Sequence, residues 1–270
     1  MKTTSDAYVA TDARPGKPRR GRSPGRVRAG RRLAGLIWPQ RSLITHRELP
    51  GPGPLEPELW SKLNFITGAQ CRACGLPFEI AVEPDQLCGA CLVRLPAYDR
   101  ARAALIYGDV SRDLVLGLKY QGRRDGLATL AGWMAAAGSE LLAEADLITP
   151  VPLHYFRLIR RGFNQSGWLA ASLSRTSGVR LSVDALKRVR STPIQGNLSA
   201  DARRRNVQGA FRVRGSRMKL VKDKRVVLVD DVLTTGATAE ACARTLKRAG
   251  AACVDVITLA RVAGPRTATI

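Results

Sequence analysis

Residues 226–238 read Val226-Val227-Leu228-Val229-Asp230-Asp231-Val232-Leu233-Thr234-Thr235-Gly236-Ala237-Thr238, and this stretch decides the fold. Four apolar residues in a row read as a buried strand. Two carboxylates stand where that strand is expected to end, and a small hydroxyl-rich loop then opens a helix expected from about Ala237 to Ala249. In an open α/β sheet, ligands bind beyond the carboxyl ends of the strands, and helix N-termini attract phosphate through unpaired N–H groups and the dipole. Thr234, Thr235, Gly236, Ala237 and Thr238 are therefore candidates to wrap a 5′-phosphate with backbone donors and hydroxyls. Asp230 and Asp231 suit ribose hydroxyls, or a Mg²⁺ held among phosphate and sugar oxygens. Acids beside an anion cradle make sense for a ligand that carries hydroxyls and a metal as well as phosphate, which points to a ribose 5-phosphate. The plain alternative is a strand–turn–helix junction whose turn happens to be polar. A Walker A loop is excluded, because no Gly-Lys-[Ser/Thr] is present.

Outward from this stretch, from about Ala101, the chain alternates as α/β units do. Strands are expected at Ala103–Tyr107, Asp146–Thr149, Val183–Val189, Ala210–Val213, Arg225–Val229 and Cys253–Arg261. Helices are expected at Arg112–Tyr120, at Leu127–Ala143 with a weakness at Gly138, and at Asn164–Ser177 with a stop at Gly178. Strands separated by helices imply parallel pairing with right-handed crossovers. Hydrophobic content of 45% suffices for a core, and the few aromatics (5%) suit an α/β fold better than an all-β one.

Before residue 101 the chain changes character. Residues 1–45 mix Arg, Gly, Pro and Ser with little periodicity, so the expectation is a disordered basic tail, or an over-extended start, with a linker running to 57. The expected organisation is a tail and linker at 1–57, a cysteine segment at 58–100, an α/β domain at 101–262 and a short tail at 263–270. The net charge of +22 predicts attraction to polyphosphate ligands or nucleic acid and says nothing about fold. The longest apolar run near the N-terminus, Leu33–Trp38, is far short of the ~20 residues of a membrane span. No membrane insertion and a cytoplasmic location are expected.

Cys71-Arg-Ala-Cys74-Gly and Cys88-Gly-Ala-Cys91 are two Cys-x-x-Cys pairs separated by thirteen residues. Each pair turns both sulfurs toward one point, and Gly75 and Gly89 are expected to allow the tight turns. Four thiolates make the tetrahedral set of a structural Zn²⁺. Two disulfides, a redox dithiol and an iron–sulfur cluster are the competing readings. Cys242 and Cys253 read as small buried hydrophobes. Trp60, Phe65, Phe78, Tyr98 and Tyr107 are able to stack a base, but scattered aromatics are more often core.

The 226–238 stretch resembles the phosphoribosyl pyrophosphate (PRPP) binding motif of type I phosphoribosyltransferases. With the four cysteines upstream, the chain resembles the ComF family over roughly Cys71 to Val262. The matching residues include Leu118-Lys119-Tyr120-Gln121-Gly122, Pro150-Val151-Pro152-Leu153-His154, Arg160-Arg161-Gly162-Phe163-Asn164-Gln165, Gln195, and Arg203 to Phe211. The resemblance implies a small Rossmann-like parallel sheet of the type I phosphoribosyltransferase kind, with an N-terminal zinc ribbon in place of the usual subdomain. It implies a pyrophosphate loop at Pro150–Gly162, with His154, Arg157, Arg160, Arg161, Asn164 and Gln165 as candidates, Asn164 also as helix cap. It implies a flexible loop at Lys187–Asn206, with a short helix near Ala200–Arg205 and Arg188, Gln195, Arg205 and Asn206 as candidates. Lys119 reads as an anion contact or an exposed helical lysine.

The family is associated with DNA uptake and natural transformation and with handling of single-stranded DNA. The function expected on this resemblance is binding of PRPP, or another ribose 5-phosphate ligand, with Mg²⁺, in DNA uptake. Whether phosphoribosyl transfer follows is left open, since fold alone does not fix a reaction. A non-enzymatic module for single-stranded DNA or a partner protein, and a nucleotide-salvage phosphoribosyltransferase, are the alternatives. The last lacks a visible base pocket in residues 60–125.

Overall fold

The computed structural model describes residues 40–51, 53–80, 82–83, 85–120, 124, 126–190 and 200–263. The chain divides into two units, Met1–Gln40 and Arg41–Ile270, and all that follows concerns the second. Residues 1–39 of the tail expected at 1–45, and residues 264–270, lie outside the described residues. Residues 41–56, expected within the tail and linker, make defined contacts. Ser42 Oγ donates to Glu56 at 2.5 Å, the Leu43 amide donates to the Pro54 carbonyl at 2.9 Å, and Leu55 is buried.

In chain order the elements are α1 (Pro57–Trp60), α2 (Gly89–Val93), β1 (Ala101–Ile106), α3 (Asp109–Tyr120), α4 (Leu127–Ala137), α5 (Ser139–Ala143), β2 (Leu147–Pro150), α6 (Tyr155–Arg161) and α7 (Gln165–Ser177). They continue with β3 (Leu186–Arg188), α8 (Ala200–Val207), β4 (Phe211–Val213), a 3₁₀ turn at Gly215–Arg217, α9 (Met218–Val221), β5 (Arg225–Leu233), α10 (Ala237–Arg248) and β6 (Cys253–Arg261). Four strands form one sheet in the order β1-β6-β5-β2, every pair parallel. All nine residues of β6 are buried, the signature of a strand covered on both faces.

Side-chain alternation along β5 divides the core in two. Val227 and Val229 pack with Leu130 and Met134 of α4 and Leu169 and Leu173 of α7. Val226 and Leu228 pack on the opposite face with Cys242 and Leu246 of α10 and with Leu186 and Phe211 of β3 and β4. The α/β parallel sheet expected from the sequence is the observed architecture.

Four local readings differ from expectation. β3 and β4 pair antiparallel as a separate hairpin rather than joining the parallel sheet. The expected helix at 127–143 breaks at Gly138, where an added β-carbon would lie 2.5 Å from Ile257 Cδ1, so close approach to β6 rather than helix propensity sets that residue. Residues 155–161, expected within a loop, form α6. β5 continues through both aspartates to Leu233, because β6 runs equally far and pairs Asp230 with Thr258, Val232 with Ala260 and Leu233 with Arg261. On the other side β2 stops at Pro150, opposite Val229. The β5 edge facing β2 is therefore open from Asp230 onward.

Candidate functional site

Where β2 ends, the chain turns through His154 into α6, which closes on Gly162 in the left-handed region (φ 74°). Asn164 then caps α7 as expected: its Oδ1 accepts from the Ser166 amide at 3.1 Å. Its Nδ2 donates to the Val151 carbonyl at 3.1 Å, which pins the start of α7 to the end of β2. A side-chain acceptor at this position satisfies one of the orphan amides of a helix start. Pinned there, α7 presents two residues to the acid pair. Ser166 Oγ donates to Asp230 Oδ1 at 2.9 Å, and Gln165 Nε2 donates to Asp231 Oδ2 at 3.1 Å. Lys119, from the last turn of α3, reaches the same Asp231 oxygen at 3.1 Å.

The two aspartates are thus held differently. Asp231 is buried and compensated by a lysine and an amide. Asp230 accepts from Ser166 and from the Asp231 amide at 3.0 Å, both on Oδ1 among the described residues, which leaves Oδ2 for a ligand. Burial, and then the neighbouring charge of Asp231, push the Asp230 carboxyl up to about 7.

Beyond Leu233 the loop Thr234-Thr235-Gly236 carries the chain into α10. Thr234 is exposed, Thr235 and Thr238 are half-buried, and Gly236 and Ala237 are buried. Gly236 adopts φ 76° and takes the N-cap position of α10 without any side-chain cap bond. The first-turn amides of α10 therefore have no acceptor within their own helix, and they stand beside the acid pair. The β3–β4 hairpin borders the site as well: His154 bridges Arg188 in parallel fashion, and the Arg188 guanidinium lies 5.4 Å from the Phe211 ring. Arg190 donates to the carbonyls of Asn206 (3.0 Å) and Gln208 (2.7 Å), fastening the end of α8 to the hairpin.

The structure brings together Asp230, Asp231, the 234–238 loop, Asn164, Gln165 and Lys119. His154 is the N-cap residue of α6 and makes no cap bond; its Nδ1 is buried without a partner among the described residues. Arg157, Arg160 and Arg161 lie on α6, and Gln195 falls outside the described residues. Arg205 is exposed on α8. Ser166 was not foreseen. Its role depends on where α7 docks, and it stands in sequence as an ordinary residue after the Asn164 cap. Of the aromatics, Tyr98 is buried, and Trp60, Phe65 and Trp133 cluster with ring centroids 5.2–5.7 Å apart.

A second constellation lies in residues 71–91. The sulfurs of Cys71, Cys74, Cys88 and Cys91 all fall within 4.8 Å of one another, and none of the six cysteines is in a disulfide. A regular tetrahedron with metal–sulfur bonds near ~2.3 Å sets sulfurs about 3.8 Å apart; Cys74 and Cys88 stand at 3.7 Å. The Cys88 amide also points at Cys71 Sγ, at 3.3 Å. Hydrogen bonds from Cys74 and Cys91 hold the Cys71 thiol well below its ordinary range. Sharing with Cys71 pushes Cys74 up to about 11, and Cys71 and Cys74 together push Cys91 far up. Four sulfurs converging on one point form a group able to bind a metal ion. Gly75 makes the first turn at φ 67°, and a β-carbon there would lie 2.3 Å from the Ala101 carbonyl oxygen. Gly89, expected to serve the second turn in the same way, instead opens α2 with open space around it; the helical turn itself brings Cys88 and Cys91 together.

The class of protein follows from comparison with known families: residues 126–268 match the family described as "Phosphoribosyl transferase domain". The chain is also 38% identical over 196 residues to the "DNA utilization protein YhgH" of Salmonella typhimurium, covering 71% of this chain and 83% of that protein. It is 34% identical to "Competence protein F" of Haemophilus influenzae (71% and 84% covered), and 27% identical to "Competence protein ComFC" of Bacillus subtilis (74% and 81%). The chain belongs to the phosphoribosyl transferase domain family, in its competence protein F (ComF) branch.

Proposed function

We propose that the chain binds PRPP, or another ligand built on ribose 5-phosphate, at the end of β5, and that it serves DNA uptake; relatives named as competence proteins and as a DNA utilization protein support that setting. The observation that carries this reading is the acid pair at the open edge of β5, followed directly by a loop that ends in the uncapped first turn of α10. The 5′-phosphate sits against the amides of Ala237 and Thr238 and the hydroxyls of Thr234, Thr235 and Thr238. Asp230 and Asp231 face the ribose hydroxyls, with Ser166 and Gln165 fixing their orientation. The free Asp230 oxygen fits a hard cation that takes oxygen ligands and keeps several waters; Mg²⁺ bound there with PRPP would neutralise the pyrophosphate. Lys119 adds positive charge beside the acid pair, and Arg157, Arg160 and Arg161 in the α6 sequence, with Arg188 and Arg205, are the further candidates for that pyrophosphate. In the cysteine group we assign Zn²⁺, because a closed set of four thiolates leaves no position for water and serves stability.

Titration calorimetry with PRPP and Mg²⁺ tests the site. Asp230→Asn with Asp231→Asn is expected to weaken binding about 100-fold, the scale of losing two charge-assisted contacts; unchanged binding rejects the site. Pyrophosphate release measured against a panel of bases, amines and oligonucleotides separates turnover from binding alone.

One observation favours a second reading, a module for single-stranded DNA. α6 exposes Tyr155 (65%) and Phe156 (70%) on a helix that also carries Arg157, Arg160 and Arg161, and aromatic faces among cations suit stacked bases and backbone phosphates. A DNA affinity that does not change with ionic strength would count against it.

A further inference from the structure

Both halves of the cysteine group are fastened to the walls of the phosphate loop. Cys91 lies on α2, and Arg94 is the C-cap residue of that helix, its amide bonded to the Ala90 carbonyl. The Arg94 guanidinium forks onto Glu240 in the first turn of α10, with Nη2 2.6 Å from Oε2 and Nη1 3.5 Å from Oε1. On the other half, the Cys74 carbonyl accepts from Arg261. Arg261 is the register partner of Leu233, where β5 ends and the loop begins. Between them, Tyr98 is buried against the loop: a β-carbon at Gly236 would lie 3.4 Å from its hydroxyl. The contacts therefore meet the loop at its entry, at its left-handed glycine and at the helix turn that follows.

The Glu240 contact has an electrostatic consequence. Its side chain is 4% exposed, and it sets a negative charge in the turn whose amides would receive an anion. Two arginines offset that charge: Arg244 from the same helix, at 3.0 Å, and Arg94 from the cysteine segment. At low local dielectric such a charge, once it loses one of these partners, acts more strongly on a neighbouring anion. A metal in the cysteine group would fix Cys88 and Cys91, and with them α2, whose C-cap residue is Arg94.

We propose that Arg94 is a positioning residue for the phosphate loop, and that metal in the cysteine group and sugar phosphate at the loop bind cooperatively through the Arg94–Glu240 pair. The proposal rests on the PRPP reading above. Coupling between sites is reciprocal, with typical factors of about 5–150.

The test uses the full chain with cobalt in the cysteine group, whose thiolate-to-metal absorption reports occupancy. PRPP with Mg²⁺ is expected to raise the chelator concentration that withdraws half the cobalt at equilibrium about tenfold, within that range. In the zinc-loaded chain, Arg94→Met is expected to weaken PRPP binding by a similar factor with metal content unchanged. Arg94→Lys should retain most of the affinity. Adding Glu240→Gln to Arg94→Met should restore part of it, because the charge that Arg94 offsets is then gone; a purely structural role for Arg94 predicts no such rescue. If PRPP binds but neither protects the cobalt nor responds to Arg94→Met, the coupling is wrong and the site stands. If the unaltered chain binds no PRPP, the reading beneath it fails instead.

Discussion

The cysteine group and the end of β5 solve the same problem, holding several like-charged groups together, by opposite means. The cysteine group is local and closed. Its four ligands come from 21 consecutive residues, converge on one point within 4.8 Å and leave nothing for a second ligand. The acid pair is assembled from distant chain and stays open. Lys119, Gln165 and Ser166 arrive from two helices to hold Asp230 and Asp231; among the described residues the bonds to Asp230 fall on one oxygen, and α10 starts without a side-chain cap bond. A closed set suits a resident ion that stabilises; an open set suits a ligand that comes and goes. If that contrast is right, substitutions in the cysteine group should act mainly on stability and those at the strand end mainly on binding.

The largest effect is expected from Cys71→Ser. Losing one thiolate from a closed four-sulfur set removes most of the metal affinity, and metal binding energy in such sites is folding energy. Metal content measured by atomic absorption should fall to near zero, and the melting midpoint should drop by more than about 10 °C, the equivalent of several kcal/mol in a domain of this size. A chain that keeps its midpoint after losing its metal would show the group to be dispensable for stability, and the contrast would fail.

A matched pair of glycines sharpens the comparison. Gly75 and Gly236 both sit in the left-handed region, at φ 67° and φ 76°, where any β-carbon costs about 1–2 kcal/mol. They differ in surroundings: at Gly75 the added carbon meets a backbone oxygen at 2.3 Å, at Gly236 a tyrosine hydroxyl at 3.4 Å. Gly75→Ala is expected to cost about 3 kcal/mol in urea unfolding, conformational strain plus overpacking, and Gly236→Ala about 1–2 kcal/mol. Gly236→Ala should nonetheless be the more damaging to PRPP binding, since it shifts the amides themselves. Equal losses of stability, or a binding defect confined to Gly75→Ala, would reverse the assignment of roles.

The same contrast explains what was legible in the sequence. The cysteine group could be read from spacing alone, because four residues in two short pairs fix their own geometry; the error there was Gly89, assigned to a turn that a helix makes instead. The strand, the acid pair and the loop that opens α10 were legible because strand, acids and small residues stand in one register, although the strand runs two residues past Asp231 before that loop begins. The supporting shell was legible only in part: Gln165 and Lys119 were candidates, but not as partners of Asp231, and Ser166 was not a candidate. Ser166 and Gln165 take these partners only once α7 is docked by Asn164 on Val151, and the extension of β5 past the aspartates depends on the length of β6. Neither fact has a local signal. α6 went unread because seven residues holding three arginines and four exposed apolar side chains carry no one-sided pattern.

A pH dependence tests the electrostatic half of the contrast. The Asp230 carboxyl titrates at about 7 in the fold and near ~3.9 in an unfolded chain. Between those values the folded chain holds a proton that the unfolded chain has released, so stability falls as pH rises from about 4 to about 7 and then levels off. Asp230→Asn keeps an oxygen for Ser166 but cannot titrate, so in buffer free of divalent cations its unfolding free energy should lack this component of the slope. Parallel pH profiles for the two proteins would mean that Asp230 is already ionised near pH 4.

The smallest effect concerns Gly89, and its sign matters more than its size. A glycine serving a knuckle turn, as at Gly75, would make Gly89→Ala destabilising. In the structure Gly89 is the first residue of α2, outside the left-handed region, with nothing within 4 Å of an added β-carbon. Alanine there restricts the unfolded chain without straining the folded one, which should stabilise by about 0.4–1 kcal/mol. Chemical denaturation of the metal-loaded protein resolves a difference of that size. Destabilisation by more than about 1 kcal/mol, on the scale of the left-handed penalty, would mean that the metal draws Cys88 and Cys91 into a turn tighter than α2, and that the two cysteine pairs are built alike after all.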